Sequence, residues 1–371
     1  MKKEIVNADV FRAMEQWAPL HLAYDWDRVG LQVGAANQAV KKVMITLDVL
    51  ESVVDEAIDN DVELIIAHHP LLFKPIEQLD VTTPKGKVLQ KLIKHDITVY
   101  AAHTNLDITN DGVNDILCDQ LGITSRKNLV DFHTEKLFKI VIYVPHSHTD
   151  VVRNALSEAG AGHIGNYSHC TFQTSGEGTF KPLEGTNPYI GSKNKLEIVE
   201  EMKLESIINE KNLSKVIDAM VAAHPYEEVA YDVYPLKNKG TTYGLGRVGK
   251  LDQKMKVKDL AEHVKNALDL SHVRVTGNLN KAVEKIAVLG GSGEKYIHQV
   301  KKSGADVYIT GDMSFHVAQD AEQMGLTVID AGHYIEQAMK NVTQNYLQDK
   351  FKQNGLEVIV SQKNTNPFQF I

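Results

Sequence analysis

The sequence predicts an α/β protein in which two pseudo-repeated lobes form one domain, interrupted by an inserted ferredoxin-like α+β segment. Three observations predict it. Short apolar strands alternate with amphipathic helices in two separate parts of the chain. Each of these runs has a histidine just past its last strand. The stretch between them is glycine-spaced and of different character.

Near the start, Val10, Met14 and Trp17 share one helical face, and Pro19 ends the run. Lys42-Val-Met-Ile-Thr-Leu-Asp48 is an apolar strand, and 48–60 reads as a helix with Val49, Val53, Val54, Ala57 and Ile58 inward. A second strand over 62–67 stops at His68-His69-Pro70. A helix over 86–95 then leads into a third strand, 98–102, which stops at His103. The second run repeats the order: strand 286–289, helix 294–303, strand 306–310, helix 315–323 and strand 326–330, followed by His333. Any α/β chain can be cut into such units, but a matching histidine at the matching end argues for a real repeat.

Between the runs, 138–144 is strand-like and 149–159 and 213–223 suit helices, which gives a strand–helix–strands–helix–strand order. Polar TSRKN and KNKGTTYGLG mark the junctions. The expected division is a first half-domain over 1–130, the insert over 131–245 and a second half-domain over 246–371.

The bulk properties exclude several classes. The chain has 371 residues, 43% of them apolar and 24% charged, which argues against disorder, collagen and coiled coil. With 48 acidic and 40 basic side chains the formal charge is −8. There is no basic stripe interleaved with aromatics, so a dedicated nucleic-acid binder is not expected. Cys118 and Cys170 are too few for a disulfide framework or a thiolate zinc site, and their scarcity suits a reducing cytosol. Glu4, Asn7, Asp9, Arg12 and Glu15 break up the opening residues, so neither a signal peptide nor a membrane span is expected there. The expectation is a cytoplasmic protein without membrane contact.

Histidine is the unusual component, with 16 residues. Ligands of parallel α/β sheets bind beyond the carboxyl ends of strands. Three such ends carry donors: His68 and His69, His103 and Asp107, His333 and Glu336. Imidazole and carboxylate suit zinc, manganese or iron, and paired carboxylates can bridge two ions. Residues 333 and 336, three apart at a helix start, would share a face. A single histidine at a strand end is commonly a cap or a surface residue. Three clusters at equivalent ends point instead to a metal centre.

Other features leave two readings open. Gly290, Gly291, Ser292 and Gly293 lie between a strand and a helix, where backbone N–H groups can cradle phosphate or where a tight turn can let backbones pack closely. The Lys-Ser/Thr of a P-loop is missing, which argues against ATPase chemistry. His316 either faces the site from a helix that follows Asp312 or sits on the surface. Trp17 and Trp26 read as core or interface aromatics rather than substrate stackers. In the insert, His163, His169, His224 and Glu227 either make a second metal site or, since their spacing fits no metal template, are turn and interface groups, the preferred reading.

Leu64-Ile-Ile-Ala-His-His-Pro-Leu-Leu-Phe73, Ala102-His-Thr-Asn-Leu-Asp107 and Asp330-Ala-Gly-His-Tyr-Ile-Glu336 together resemble the NIF-three-like dimetal family, whose members are often labelled GTP cyclohydrolase I type 2 homologues. Trp26-Asp-Arg-Val-Gly-Leu-Gln-Val-Gly34, the Gly290 turn and Thr310-Gly-Asp312 extend the likeness over about 25–337. The resemblance implies two divalent ions per subunit held by His68, His69, Asp107, His333 and Glu336. Zinc is the first expectation, with manganese and iron as the alternatives. Waters would complete the coordination, and the ions would lie about 3.5–4 Å apart. His103 is an outer partner or, with His316, a candidate for a catalytic role. Gly160-Ala-Gly-His-Ile-Gly-Asn-Tyr167 and Ala223-His-Pro-Tyr-Glu-Glu228 resemble the extra CutA- and PII-like module of longer relatives.

The implied activity is metal-dependent hydrolysis of a nucleotide or another phosphate-containing small molecule. The family label implies GTP ring opening, with hydroxide attack at the purine C8 and a histidine proton relay. The alternative is a non-enzymatic, metal- or ligand-responsive regulatory or scaffold ring protein. The implied assembly is a homohexameric ring with the insert near its openings.

Overall fold

The computed structural model describes residues 4–371; the first three residues, where the expected first half begins, lie outside the described residues. The chain forms two compact units. One contains the residues up to His133 together with Tyr243–Ile371, and the other is Thr134–Thr242.

The larger unit opens with α1 (Asn7–Trp17), β1 (Gly30–Val33), β2 (Lys42–Thr46), α2 (Glu51–Asp59), β3 (Leu64–Ala67), α3 (Pro84–Lys94) and β4 (Thr98–Ala101). Two short helices, α4 (Thr104–Ile108) and α5 (Val113–Gln120), precede the long strand β5 (Ile123–Pro145), which passes into the second unit. There α6 (Thr149–Ala159), β6 (Thr171–Phe180), β7 (Glu197–Asn209) and α7 (Leu213–Ala223) follow, and β8 (Tyr231–Lys256) returns. The rest of the larger unit is α8 (Val257–Ala267), β9 (Arg274–Val275), β10 (Ala282–Ser292), α9 (Ile297–Ser303), β11 (Val307–Gly311), α10 (Phe315–Gln323), β12 (Thr327–Asp330), a 3-10 turn (His333–Ala338), α11 (Met339–Phe351) and β13 (Glu357–Val360).

The fold is mixed α/β, and two sheets build the larger unit. The first has the order β1-β4-β3-β2-β13, with β13, β2, β3 and β4 parallel and β1 antiparallel to β4. In the other, β10, β11 and β12 are parallel, β9 runs antiparallel beside β12, and β8 runs antiparallel beside β10. Both therefore contain three parallel strands joined by helices, and in both the strand that precedes them in sequence lies antiparallel against the third. The inner parallel strands β2, β3, β4, β10, β11 and β12 show as apolar runs in the sequence because both of their faces are covered. The short edge strands β1, β9 and β13 were not expected from the sequence.

Helices α1, α5, α8 and α11 fill the space between the sheets. Val10, Met14, Leu117, Val264 and Leu347 pack with Ile45, Ile66, Ile309 and Ile329 in one core. A fully buried Leu or Ile side chain of this kind contributes about 1.5–3 kcal/mol. Val53, Val54 and Leu92 cover the outer face of the first sheet, and Ile297, Val300 and Ala321 that of the second.

Three expectations change. Helix α2 starts at Glu51 rather than at 48, which leaves Asp48 in a loop at the carboxyl end of β2. Strand β10 runs on to Ser292, so Gly290 and Gly291 are strand residues and not a turn beyond it. The register with β11 slips between Val288 and Ser292, the mark of a bulge there. His333 and Glu336 sit on a 3-10 turn, where side chains three apart eclipse each other.

In the smaller unit the strand order is β6-β7-β5-β8, with β7 antiparallel to both β5 and β6. Ile140, Ile142, Leu204 and Ile208 of the sheet pack against Val152 and Leu156 of α6 and Val216 and Met220 of α7.

Candidate metal centre

The carboxyl ends of β3, β4 and β12 converge within the larger unit, and the groups His68–His69–His103, His69–His333–Glu336 and His68–Asp107–Glu336 each bring their donor atoms within 4.8 Å of one another. His68 and His69 follow β3 directly. His103 precedes α4, and Asp107 lies in that helix.

The four imidazoles are held in the same way. His68 Nδ1 donates to the Ala102 carbonyl at 2.8 Å. His69 Nδ1 donates to Asp48 Oδ1 at 2.7 Å, His103 Nδ1 to Asp27 at 3.0 Å and His333 Nδ1 to Asp312 Oδ2 at 2.6 Å. An acceptor on Nδ1 fixes the ring plane and leaves Nε2 as the free donor atom, which is how a metal-ligating histidine is usually supported.

The freed nitrogens of His68, His69 and His333 turn toward two carboxylates, and that of His103 lies with those of His68 and His69. Glu336 Oε2 lies 3.0 Å from His69 Nε2, 3.2 Å from His333 Nε2 and 3.7 Å from His68 Nε2. Asp107 Oδ1 lies 3.5 Å from His68 Nε2. His68 Nε2 and Asp107 Oδ1 are buried without a hydrogen-bond partner. Desolvated polar atoms cost about 1–3 kcal/mol each when unpaired, so such a pair calls for a shared cation. The residues fit a divalent ion on this ground.

The electrostatics agree. Burial pushes the His68 pKa down, which favours its neutral, ligating form. Burial also opposes charge on His69, but its contacts with Asp48 and Glu336 prevail and raise it to about 10. Its hydrogen bond to Glu336 raises His333 to about 9. Burial and the neighbouring Glu336 charge hold Asp107 well above the usual carboxylate range. Glu336 lies well below that range despite its burial, because the surrounding histidines outweigh the desolvation. The cluster gathers positive charge, and protons supply it when no cation does.

Glycines make room for Glu336. Gly291 has φ +65°, and a Cβ there would lie 2.4 Å from Glu336 Oε1. The Gly290 N–H donates to Asn114 Oδ1 at 3.0 Å, while the Asn114 amide donates to the Asp107 carbonyl at 2.9 Å. A Cβ at Gly293 would strike Tyr308 and Thr310, and its carbonyl accepts the Tyr308 hydroxyl. Of the two readings of Gly290, Gly291, Ser292 and Gly293, close packing has these contacts behind it.

His316 is exposed on α10 and pairs with Gln319 of the same helix; it belongs to none of the donor groups. Trp26 is half-exposed, stacks on Tyr24 with centroids 5.6 Å apart, lies tilted against Phe73 at the same distance, and meets His103 edge to face at 6.4 Å. In the smaller unit both His224 nitrogens are taken, by the Tyr143 carbonyl and the Tyr226 N–H, and Glu227 accepts from Asn187 N–H. His163 and His169 are exposed. The supporting residues Asp27, Asp48 and Asp312 were missed as such, although Asp27 and Asp312 fall inside strings that carried the family resemblance.

The sequence profile of Duf34/NIF3 (NGG1p interacting factor 3) matches residues 6–367. The chain belongs to this family. A Halalkalibacterium halodurans relative named GTP cyclohydrolase 1 type 2 homolog is 49% identical over 364 residues, 98% of either chain. One of the same name from Bacillus subtilis is 47% identical over the full length of both. The crystal structure of a Bacillus cereus protein related to NIF3 superposes with TM-score 0.94 at 49% identity, covering 100% of both chains. A Staphylococcus aureus structure gives 0.80 at 32% identity over 99% of each. Among the described residues of this Duf34/NIF3 protein, no helix is long and apolar enough to cross a membrane.

Proposed function

We propose that this protein is a dinuclear metal-dependent hydrolase acting on a nucleotide or another phosphate-containing small molecule. One observation carries the reading: four imidazoles are each anchored through Nδ1, those of His68, His69 and His333 set Nε2 beside the carboxylates of Glu336 and Asp107, and His68 Nε2 and Asp107 Oδ1 are left unpartnered. His68, His69, Asp107, His333 and Glu336 would hold the two ions. His103, anchored by Asp27 as the others are anchored, joins them.

Bound divalent ions supply a water of lowered pKa and polarise the atom under attack. The chain's own residues do the rest. Glu336, within reach of three imidazoles, holds the two halves of the centre together. Asp48, Asp27 and Asp312 orient the rings. Trp26, with Phe73 against it, gives the His103 side a half-exposed aromatic surface. Mixed imidazole and carboxylate donors favour zinc, ahead of manganese or iron.

The same reading takes residues 134–242 as a ferredoxin-like, CutA- or PII-like insert, on its β-α-β-β-α-β order. It also takes the assembly as a cytoplasmic homohexamer. Sedimentation showing a stable monomer at micromolar concentration would sink the assembly.

Metal analysis of protein purified without chelators tests the centre, followed by a screen of nucleotides and phosphoesters with the metal found. Two equivalents per chain and turnover that vanishes with chelation are expected. Metal-free protein that takes up no zinc, manganese or iron refutes the reading.

A further inference from the structure

Asp48 uses its two oxygens separately. Oδ1 accepts from His69 Nδ1 at 2.7 Å, and Oδ2 accepts the Thr365 hydroxyl at 2.5 Å. Thr365 lies in 361–371, a stretch without regular structure that follows β13.

The topology brings it there. Strand β13 is parallel to β2, with Val360 beside Ile45, and the Ser361 N–H continues the ladder to the Ile45 carbonyl at 2.9 Å. Chain leaving β13 therefore emerges at the same edge as chain leaving β2, which carries Asp48. Side chains fix the stretch further. Ser361 Oγ donates to Glu56 Oε2 at 2.5 Å and Gln362 N–H to Glu56 Oε1 at 2.9 Å. Asn364 and Asn366 each accept from the N–H two residues on. Residues 364–370 also wall a cleft of about 1020 Å³ whose lining includes Asp48, His69 and His333.

An aspartate with one anchored oxygen can still swing about its last torsion, which has a broad, two-fold preference. Anchoring the second oxygen removes that freedom. We propose that Thr365 is a positioning residue of the centre: its hydroxyl fixes Asp48, Asp48 fixes the His69 ring, and the segment after β13 thereby sets how firmly the His69 side holds its ion. This rests on the dinuclear reading of the site.

Thr365→Val keeps the shape and removes the hydroxyl, Thr365→Ala adds no bulk, and Thr365→Ser restores the donor. In competition of zinc against a chromogenic chelator, Val and Ala are expected to bind one of two equivalents about tenfold more weakly, with Ser within about twofold of the parent. A second readout needs no metal. In metal-free protein labelled with 15N-histidine, the His69 Nδ1–H proton should exchange faster with solvent in the Val and Ala variants and return to the parent rate in Ser. Wild-type zinc affinity together with an unchanged His69 proton in both Val and Ala overturns the proposal. If the parent itself binds no zinc, the dinuclear reading has failed, and the His69 proton alone decides: faster exchange upholds the Thr365–Asp48–His69 relay, unchanged exchange overturns it.

Discussion

His69 Nε2 lies 3.0 Å from Glu336 Oε2, although 267 residues separate the two in the chain. One follows β3 of the first sheet, and the other sits on the 3-10 turn after β12 of the second. The centre exists only where the two lobes meet.

Glu336→Gln keeps the size and removes the charge that faces three imidazoles. Loss of at least one metal equivalent is expected, with the far-ultraviolet circular dichroism unchanged. Retention of both ions would show that the centre is assigned to the wrong carboxylate.

Metal uptake should release protons. In the metal-free protein His69 and His333 titrate near 10 and 9, above their ordinary 6.5, so both are protonated at neutral pH. A raised folded-state pKa means that the protonated ring stabilises the fold. That contribution is complete below about pH 6.5 and fades as pH rises through 9 and then 10. Metal-free protein should therefore lose melting temperature from pH 7 to pH 10. Calorimetric titration with zinc in buffers of different ionisation enthalpy should give a heat that depends on the buffer. A buffer-independent heat at pH 7 contradicts this protonation assignment.

Asp312→Asn tests the support of His333. Asp312 has φ +55°, a conformation asparagine also tolerates, so the backbone should not object. The neutral amide holds the ring less firmly and supports its charge less well, so zinc affinity should drop by about 10–100-fold, and metal-free protein should lose some stability at neutral pH with the fold retained. An unchanged affinity would remove Asp312 from the centre.

Gly291→Ala should disturb Glu336 as well as the backbone. Left-handed φ costs a non-glycine residue about 1–3 kcal/mol, and the new Cβ would also lie 2.4 Å from Glu336 Oε1. Gly355→Ala, at φ +82° with nothing within 4 Å, isolates the backbone cost. Both should destabilise on urea titration, but only the Gly291 variant should lose bound metal. Equal metal contents would refute the close-approach explanation.

The sequence by itself determined the local parts of this protein. Apolar runs marked β2, β3, β4, β10, β11 and β12 because both faces of each are largely buried, and helical spacing placed α6, α7 and α10 within their observed bounds. Donor chemistry singled out His68, His69, His103, Asp107, His333 and Glu336, since these types cluster past strand ends. Tertiary structure alone decided what joins segments far apart in the chain. Glu357 of β13 pairs beside Lys42 of β2, and no local pattern announces that register. Asp27, Asp48 and Asp312 look in sequence like any surface carboxylate; each becomes a ring anchor only once the fold sets a histidine nitrogen against it. The reason is physical: periodicity reports burial of a residue's own element, whereas the direction of a hydrogen bond depends on where a distant backbone has been placed.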